Sequence, residues 1–150
     1  MVLFFLIFLP ASCSRNNKIN SSLSTPIPLQ KSTLINNSWK AAQFLDKGAN
    51  HSREFSIYSF QFNHDGTLLA VGTGTEFYGT WNITEGCNKN LVENRNHPGV
   101  EDYNKLIFNI AGNRQMEEIS GVWQIITLSA AEMHLKEDNP SSGKEIHFNR

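Results

Sequence analysis

Residues 58–72 read Tyr58-Ser59-Phe60-Gln61-Phe62-Asn63-His64-Asp65-Gly66-Thr67-Leu68-Leu69-Ala70-Val71-Gly72. Tyr58, Phe60 and Phe62 alternate with Ser59, Gln61 and Asn63, a period of two that puts three rings on one face of a strand. Asp65-Gly66 then interrupts the pattern. Glycine accepts the positive φ of a tight turn, and an aspartate side chain bonds to the turn backbone. A second run, 67–72, follows at once. The stretch predicts an antiparallel hairpin with one aromatic face.

The same alternation recurs on both sides. Strands are predicted at 38–45, opened by Trp39, at 54–63 and 67–72, and at 77–84, which carries Tyr78-Gly79-Thr80-Trp81. Gly79 inside a strand predicts a bulge or close packing against a neighbouring side chain. Further strands are predicted at 105–111, at 121–128 with Trp123 and Ile125 on one face, at 133–137 and at 145–150. The stretches 112–118, 129–132 and 138–143 read as turns, and 86–104, with Pro98 and Gly99, as a long loop. No long helix is predicted. Eight strands in sequence order, mostly joined by short links, favour antiparallel neighbours. Closing them into an up-and-down barrel removes both exposed edges. The competing arrangement is a two-sheet sandwich.

The chain opens Met1-Val2-Leu3-Phe4-Phe5-Leu6-Ile7-Phe8-Leu9-Pro10-Ala11-Ser12-Cys13. The apolar run is far shorter than the ~20 residues of a membrane span. It suits the core of an export signal, with Ala11 and Ser12 as the small residues before cleavage. Cys13 is then the expected lipidation site of the mature protein, anchored in the cell envelope, at the outer membrane. Ser, Asn, Thr and Pro dominate the next stretch, which cannot bury enough surface to fold. The reading is a signal peptide at 1–12, a flexible tether at 13–33 and one all-β domain at 34–150. With Cys13 lipidated, Cys87 is left as an inert loop cysteine, though a Cys13–Cys87 bridge is the alternative if Cys13 carries no lipid.

Lys and Arg number 13 against 14 Asp and Glu, a net charge of −1, and no basic cluster stands out. Nucleic acid is therefore not an expected partner.

In order and spacing, Asn37-Ser38-Trp39-Lys40, the 60–67 hairpin, Tyr78-Gly79-Thr80-Trp81, Trp123-Gln124-Ile125-Ile126-Thr127-Leu128-Ser129 and Ile146-His147-Phe148 form a pattern. Together they resemble the lipocalin-like domain of exported Bacteroidetes-type lipoproteins, from about residue 34 to 150. Asn37 stands where that pattern has glycine. The resemblance implies an up-and-down barrel and carries no catalytic or ligand signature with it, because fold alone does not fix function.

Candidate chemistry is sparse. Trp39, Tyr58, Phe60, Phe62, Trp81, Phe108 and Trp123, with Phe77, are the candidates to line an apolar pocket for a small apolar or amphipathic ligand. The expected function is a binding protein that holds such a ligand in the barrel; the alternative is a filled barrel that acts as an interaction or accessory protein, since core packing is the commoner role for any one ring. Arg95, His97, Glu101 and Asp102 in the long loop form a mixed-charge set suited to a protein partner of unknown identity or to a polar ligand, and a solvated loop explains the set equally well. His134 and His147 each sit between two apolar residues, so both are expected on the outer face of a hairpin. Two imidazoles there, with Glu132 or Glu145 nearby, could bind zinc, but a metal site commonly needs three or four ligands. They are read as solvated strand histidines, and no metal or cofactor is expected. His64 and Asp65 are explained by the turn, and no two carboxylates are spaced for acid–base work. With no Gly-x-Ser-x-Gly turn, phosphate loop or CxxC pair, an enzyme is not expected.

Overall fold

A computed structural model describes residues 25–35, 37–86, 103–139 and 141–150. The export segment, Cys13, the tether up to residue 24, Cys87 and the loop candidates Arg95, His97, Glu101 and Asp102 lie outside the described residues. The elements in chain order are α1 (Ile27–Ile35), β1 (Ser38–Asp46), β2 (Ala49–Asn50), α2 (Ser52–Phe55), β3 (Ser59–Phe62), β4 (Thr67–Gly72) and β5 (Thr75–Thr84). After the 86–104 segment come β6 (Lys105–Ile110), α3 (Arg114–Ile119), β7 (Gly121–Leu128), β8 (Glu132–Glu137) and β9 (Glu145–Asn149).

The 58–72 stretch forms the expected hairpin, with Phe60 opposite Ala70 and Phe62 opposite Leu68. Gly66 adopts a φ of +83°. The Asp65 carboxylate accepts from the Thr67 backbone N–H at 2.9 Å and from its hydroxyl at 2.6 Å. These hydrogen bonds hold the Asp65 carboxyl below its ordinary pKa. From this hairpin the sheet continues strand by strand in the order β3-β4-β5-β6-β7-β8-β9, and β1 pairs with both β3 and β9. All pairings are antiparallel. With the two-residue β2 set aside as a spur on β1, the result is a closed eight-stranded up-and-down barrel, and not a sandwich.

Inward positions carry the core. Trp39, Phe44, Phe60, Phe62, Leu68, Leu106, Phe108, Trp123, Leu135 and Phe148 are all buried. Outward positions such as Lys40, Gln61, Thr80, Asn82, Asn109 and Lys136 are polar and exposed. Among the described residues no helix is long and apolar enough to cross a membrane.

Two irregularities break the strict alternation. In β1 the register against β9 shifts between Ala41 and Gln43, and in β7 the register against β8 shifts between Ile125 and Thr127. Each inserts one residue, so the inward positions run Trp39, Ala41, then Phe44 in β1. Gly79 marks neither a bulge nor a packed side chain: a Cβ there would lie 2.1 Å from the Asn109 carbonyl oxygen of β6, so it is the neighbouring backbone that comes close.

The structure differs from the sequence reading at three short helices. The predicted strand at 54–63 begins only at Ser59, because Glu54 and Phe55 belong to α2, which turns Phe55 onto Phe44 with ring centroids 4.7 Å apart. Most of the predicted turn at 112–118 is taken up by α3 (Arg114–Ile119), opened by the Asn113 side chain, which accepts from the Met116 N–H at 3.1 Å. Residues 27–33, expected to belong to the tether, are helical. Pro26 and Pro28 suit the start of a helix, and packing holds α1 in place. Leu34 is fully buried, and the Trp39 indole N–H donates to its carbonyl at 3.1 Å. The Asn104 amide donates to the Thr25 carbonyl and to Gln30 Oε1, both at 2.9 Å. α1 therefore covers one end of the barrel. α2, in the connection from the far end of β1 to β3, and α3, which follows β6, sit at the other end.

Candidate functional site

The barrel interior comes first, because the sequence places the candidate ligand pocket there. Seven of the eight rings named for it are buried: Trp39 and Trp123 are 0% exposed, Phe60 and Phe108 1%, Phe62 2%, Tyr58 5% and Trp81 7%, while Phe77 is half-buried at the edge of the core. They meet one another. Phe62 packs edge-on against Trp81 at 5.5 Å and Phe108 at 6.3 Å, and Phe108 stacks on Trp123 at 6.1 Å with planes 9° apart. Phe60 meets Phe148 edge-on at 5.4 Å, and Tyr58 meets Phe77 at 5.9 Å. Such contacts add to the area that each ring buries.

The polar handles of these rings are turned to the protein backbone and to the caps. Trp81 Nε1 donates to the Asn63 carbonyl at 2.9 Å and Trp123 Nε1 to the Ile119 carbonyl at 3.0 Å. The Asn113 amide donates to the Tyr58 hydroxyl at 3.1 Å. Trp39 serves α1 as described above. The three indole N–H groups are thus spent on holding the turn and the end helices.

Among the described residues, two hollows lie on the outer wall. One, of about 410 Å³, is bounded by Tyr78, Gly79, Thr80, Asn109, Ile110 and Glu117 beside α3. The other, of about 220 Å³, is bounded by Thr127, Glu132, His134, His147 and Asn149. In the second, His134 and His147 are direct cross-strand partners of β8 and β9, while Met133, Leu135, Ile146 and Phe148 point inward. Both histidines are on the outer face, as expected from their neighbours. Their rings stack, with centroids 3.9 Å and planes 14° apart.

Glu145 stands beside them. Its Oε2 lies 3.4 Å from His134 Nε2, and its Oε1 lies 3.2 Å from Lys136 Nζ. Burial pulls the Glu145 carboxyl upward, but Lys136 and then His134 outweigh it and hold the pKa below its ordinary value. Burial, and then the charge of His134, push the His147 imidazole below its ordinary value, against the pull of Glu145 and Glu132. One ligand atom from each of His134, Glu145 and His147 can be chosen so that all lie within 4.8 Å of one another. Neighbour pattern alone places the two histidines. The third member follows from pairing β8 with β9, which sets Glu145 opposite Lys136.

The loop candidates Arg95, His97, Glu101 and Asp102 lie outside the described residues, but their segment is anchored at known points. It leaves from the end of β5 and returns at Asn104, whose side chain bonds to Thr25 and Gln30. Both its flanks therefore stand at the barrel end covered by α1.

No protein-family model, no curated protein and no solved structure matches this chain.

Proposed function

We propose that this chain is an exported, lipid-anchored accessory protein of the cell envelope, lipocalin-like in architecture, that acts through its exterior. Its barrel is a filled scaffold. The observation that carries this reading is the mutual packing of Phe60, Phe62, Trp81, Phe108, Trp123 and Phe148, each at most 7% exposed. A ligand held between these rings would have to displace them.

Export rests on the apolar 2–9 run followed by Ala11-Ser12-Cys13. The described chain begins at Thr25 on the α1 end, where the flanks of the 86–104 segment also meet. An anchor at Cys13 would leave about a dozen residues of lead, on the order of 40 Å fully extended. A partner that engages the 86–104 segment would then be met close to the membrane.

Native mass spectrometry of the protein extracted from its own cells tests both halves of the reading. The expected species carries a diacylglycerol-type mass on Cys13 and no second small molecule. A stoichiometric apolar ligand that leaves only on unfolding would replace the filled scaffold with a carrier. An unmodified Cys13 or a retained Met1 would remove the anchor.

A further inference from the structure

We propose that His134, His147 and Glu145 bind one divalent first-row transition-metal ion, of the zinc type, on the outer wall of the barrel. The donor set is two imidazoles and one carboxylate. Nitrogen-rich sets of this kind suit zinc and its neighbours, whereas calcium and magnesium take oxygen ligands. Three protein ligands with an open fourth position is the pattern of accessible zinc sites.

The backbone supplies the alignment. His134 and His147 face each other directly across β8 and β9, and Lys136 faces Glu145 one step along the same outer face. The two register shifts flank the pair: Thr127, just past the β7 irregularity, is the partner of His134, and Gln43, just past the β1 irregularity, is the partner of His147. Bulges re-aim the side chains beside them. Here they bracket the two histidines from both sides at the same level of the wall.

A second observation points to a missing partner. His134 Nε2 is buried and makes no hydrogen bond, although Glu145 Oε2 is 3.4 Å away. A buried polar atom without a hydrogen bond is costly, and a metal ion between these two atoms would satisfy both. Ligand atoms around a tetrahedral zinc lie about 3.3 Å apart, from bonds of about 2.0–2.1 Å. The three ligand atoms lie within 4.8 Å of one another, so binding requires these half-buried side chains to rotate inward and the two stacked rings to part. The adjoining hollow of about 220 Å³ leaves room for a fourth ligand, either water or the carboxylate of Glu132 on its rim.

Lys136 is the local opponent. Its ammonium holds Glu145 Oε1 at 3.2 Å and places a positive charge beside the ion. Removing that charge should strengthen metal binding, whereas removing a ligand should weaken it. A merely stacked pair of surface histidines predicts neither effect of this sign.

The test uses the full chain as extracted from its own cells, stripped with chelator, and titrated calorimetrically with Zn²⁺ and spectroscopically with Co²⁺. One ion per chain is expected, with the visible bands of a four- or five-coordinate Co²⁺ site. His134→Gln, His147→Gln and Glu145→Gln should each weaken Zn²⁺ binding by about tenfold or more, and Lys136→Gln should tighten it. Thermal melts of the metal-free variants identify any that fail to fold, and the remaining variants then decide. Absence of binding at about 100 µM Zn²⁺, unchanged affinity in the ligand variants, or weaker binding in Lys136→Gln would overturn the proposal. The titration is independent of whether the barrel is filled or the chain is anchored.

Discussion

The Trp39 indole donates its N–H to the Leu34 carbonyl at 3.1 Å, and both residues are fully buried. One hydrogen bond thus ties the helix that covers the barrel end to the first strand of the wall. Trp39→Phe keeps most of the ring and removes the donor, leaving a buried carbonyl unpaired. The expected cost is about 1–3 kcal/mol, seen as a lower urea midpoint. Amide exchange should rise selectively in Ile27–Ile35 before the barrel opens. Exchange that stays unchanged in α1 would mean that the helix is held by other contacts.

Phe108 lies between Phe62 and Trp123, touching the first edge-on and the second face-on. Phe108→Ala should cost about 3–5 kcal/mol and leave a ring-sized void. A dry apolar void of that kind takes up benzene-sized molecules. The variant should therefore bind benzene or toluene, followed by NMR shifts of Trp123 and Phe62, while the natural protein does not. Equal binding by both would place unfilled space in the natural interior.

Gly79 has no room for a methyl group, since a Cβ would sit 2.1 Å from the Asn109 carbonyl oxygen and 2.9 Å from the Ile110 Cα. These are backbone atoms of the neighbouring strand and cannot swing aside. Gly79→Ala should force β5 and β6 apart and destabilise by about 1–3 kcal/mol. Thermal unfolding reads the loss directly, and a neutral result would show that the two strands can spread without cost.

Asp138 makes stability depend on acid. Burial raises its pKa, but hydrogen bonds from Lys105 at 2.6 Å and Gln124 at 3.0 Å, with the Lys105 charge, outweigh burial and hold it below the ordinary value. A folded-state pKa below the unfolded one means that the unfolded chain binds the proton first. The contribution is therefore whole above about pH 4, the unfolded value, and is lost as pH falls through the lower folded value. Asp138→Asn should flatten that part of the acid limb in urea midpoints measured against pH. A limb of unchanged slope would assign the acid loss to Glu145 and Asp65.

Much of this architecture is readable from single residues. Tyr58, Phe60 and Phe62 announce a face, Asp65-Gly66 a turn, and Trp123 and Ile125 a second inward row, because a strand repeats every two residues. The irregularities at Ala41/Gln43 and Ile125/Thr127 are not readable in that way. An inserted residue leaves local polarity unchanged, and only pairing with the neighbouring strand exposes it. The short helices escape for a similar reason. α1 has almost no amphipathic pattern, and its stability comes from Leu34, Gln30 and Asn104, far apart in sequence. The outward placement of His134 and His147 follows from their apolar neighbours, but their stacking and the approach of Glu145 depend on cross-strand register.

The double pairing of β1 has a topological consequence. Lys40, near the beginning of the barrel, stands opposite Asn149 near its close, so the two ends of the wall are neighbours across one ladder. The cylinder has no privileged starting strand. A circularly permuted gene, with a short linker joining these neighbours and new termini cut between Asp65 and Gly66, should produce the same closed wall. The wall's geometry would then owe nothing to the order in which its staves leave the ribosome.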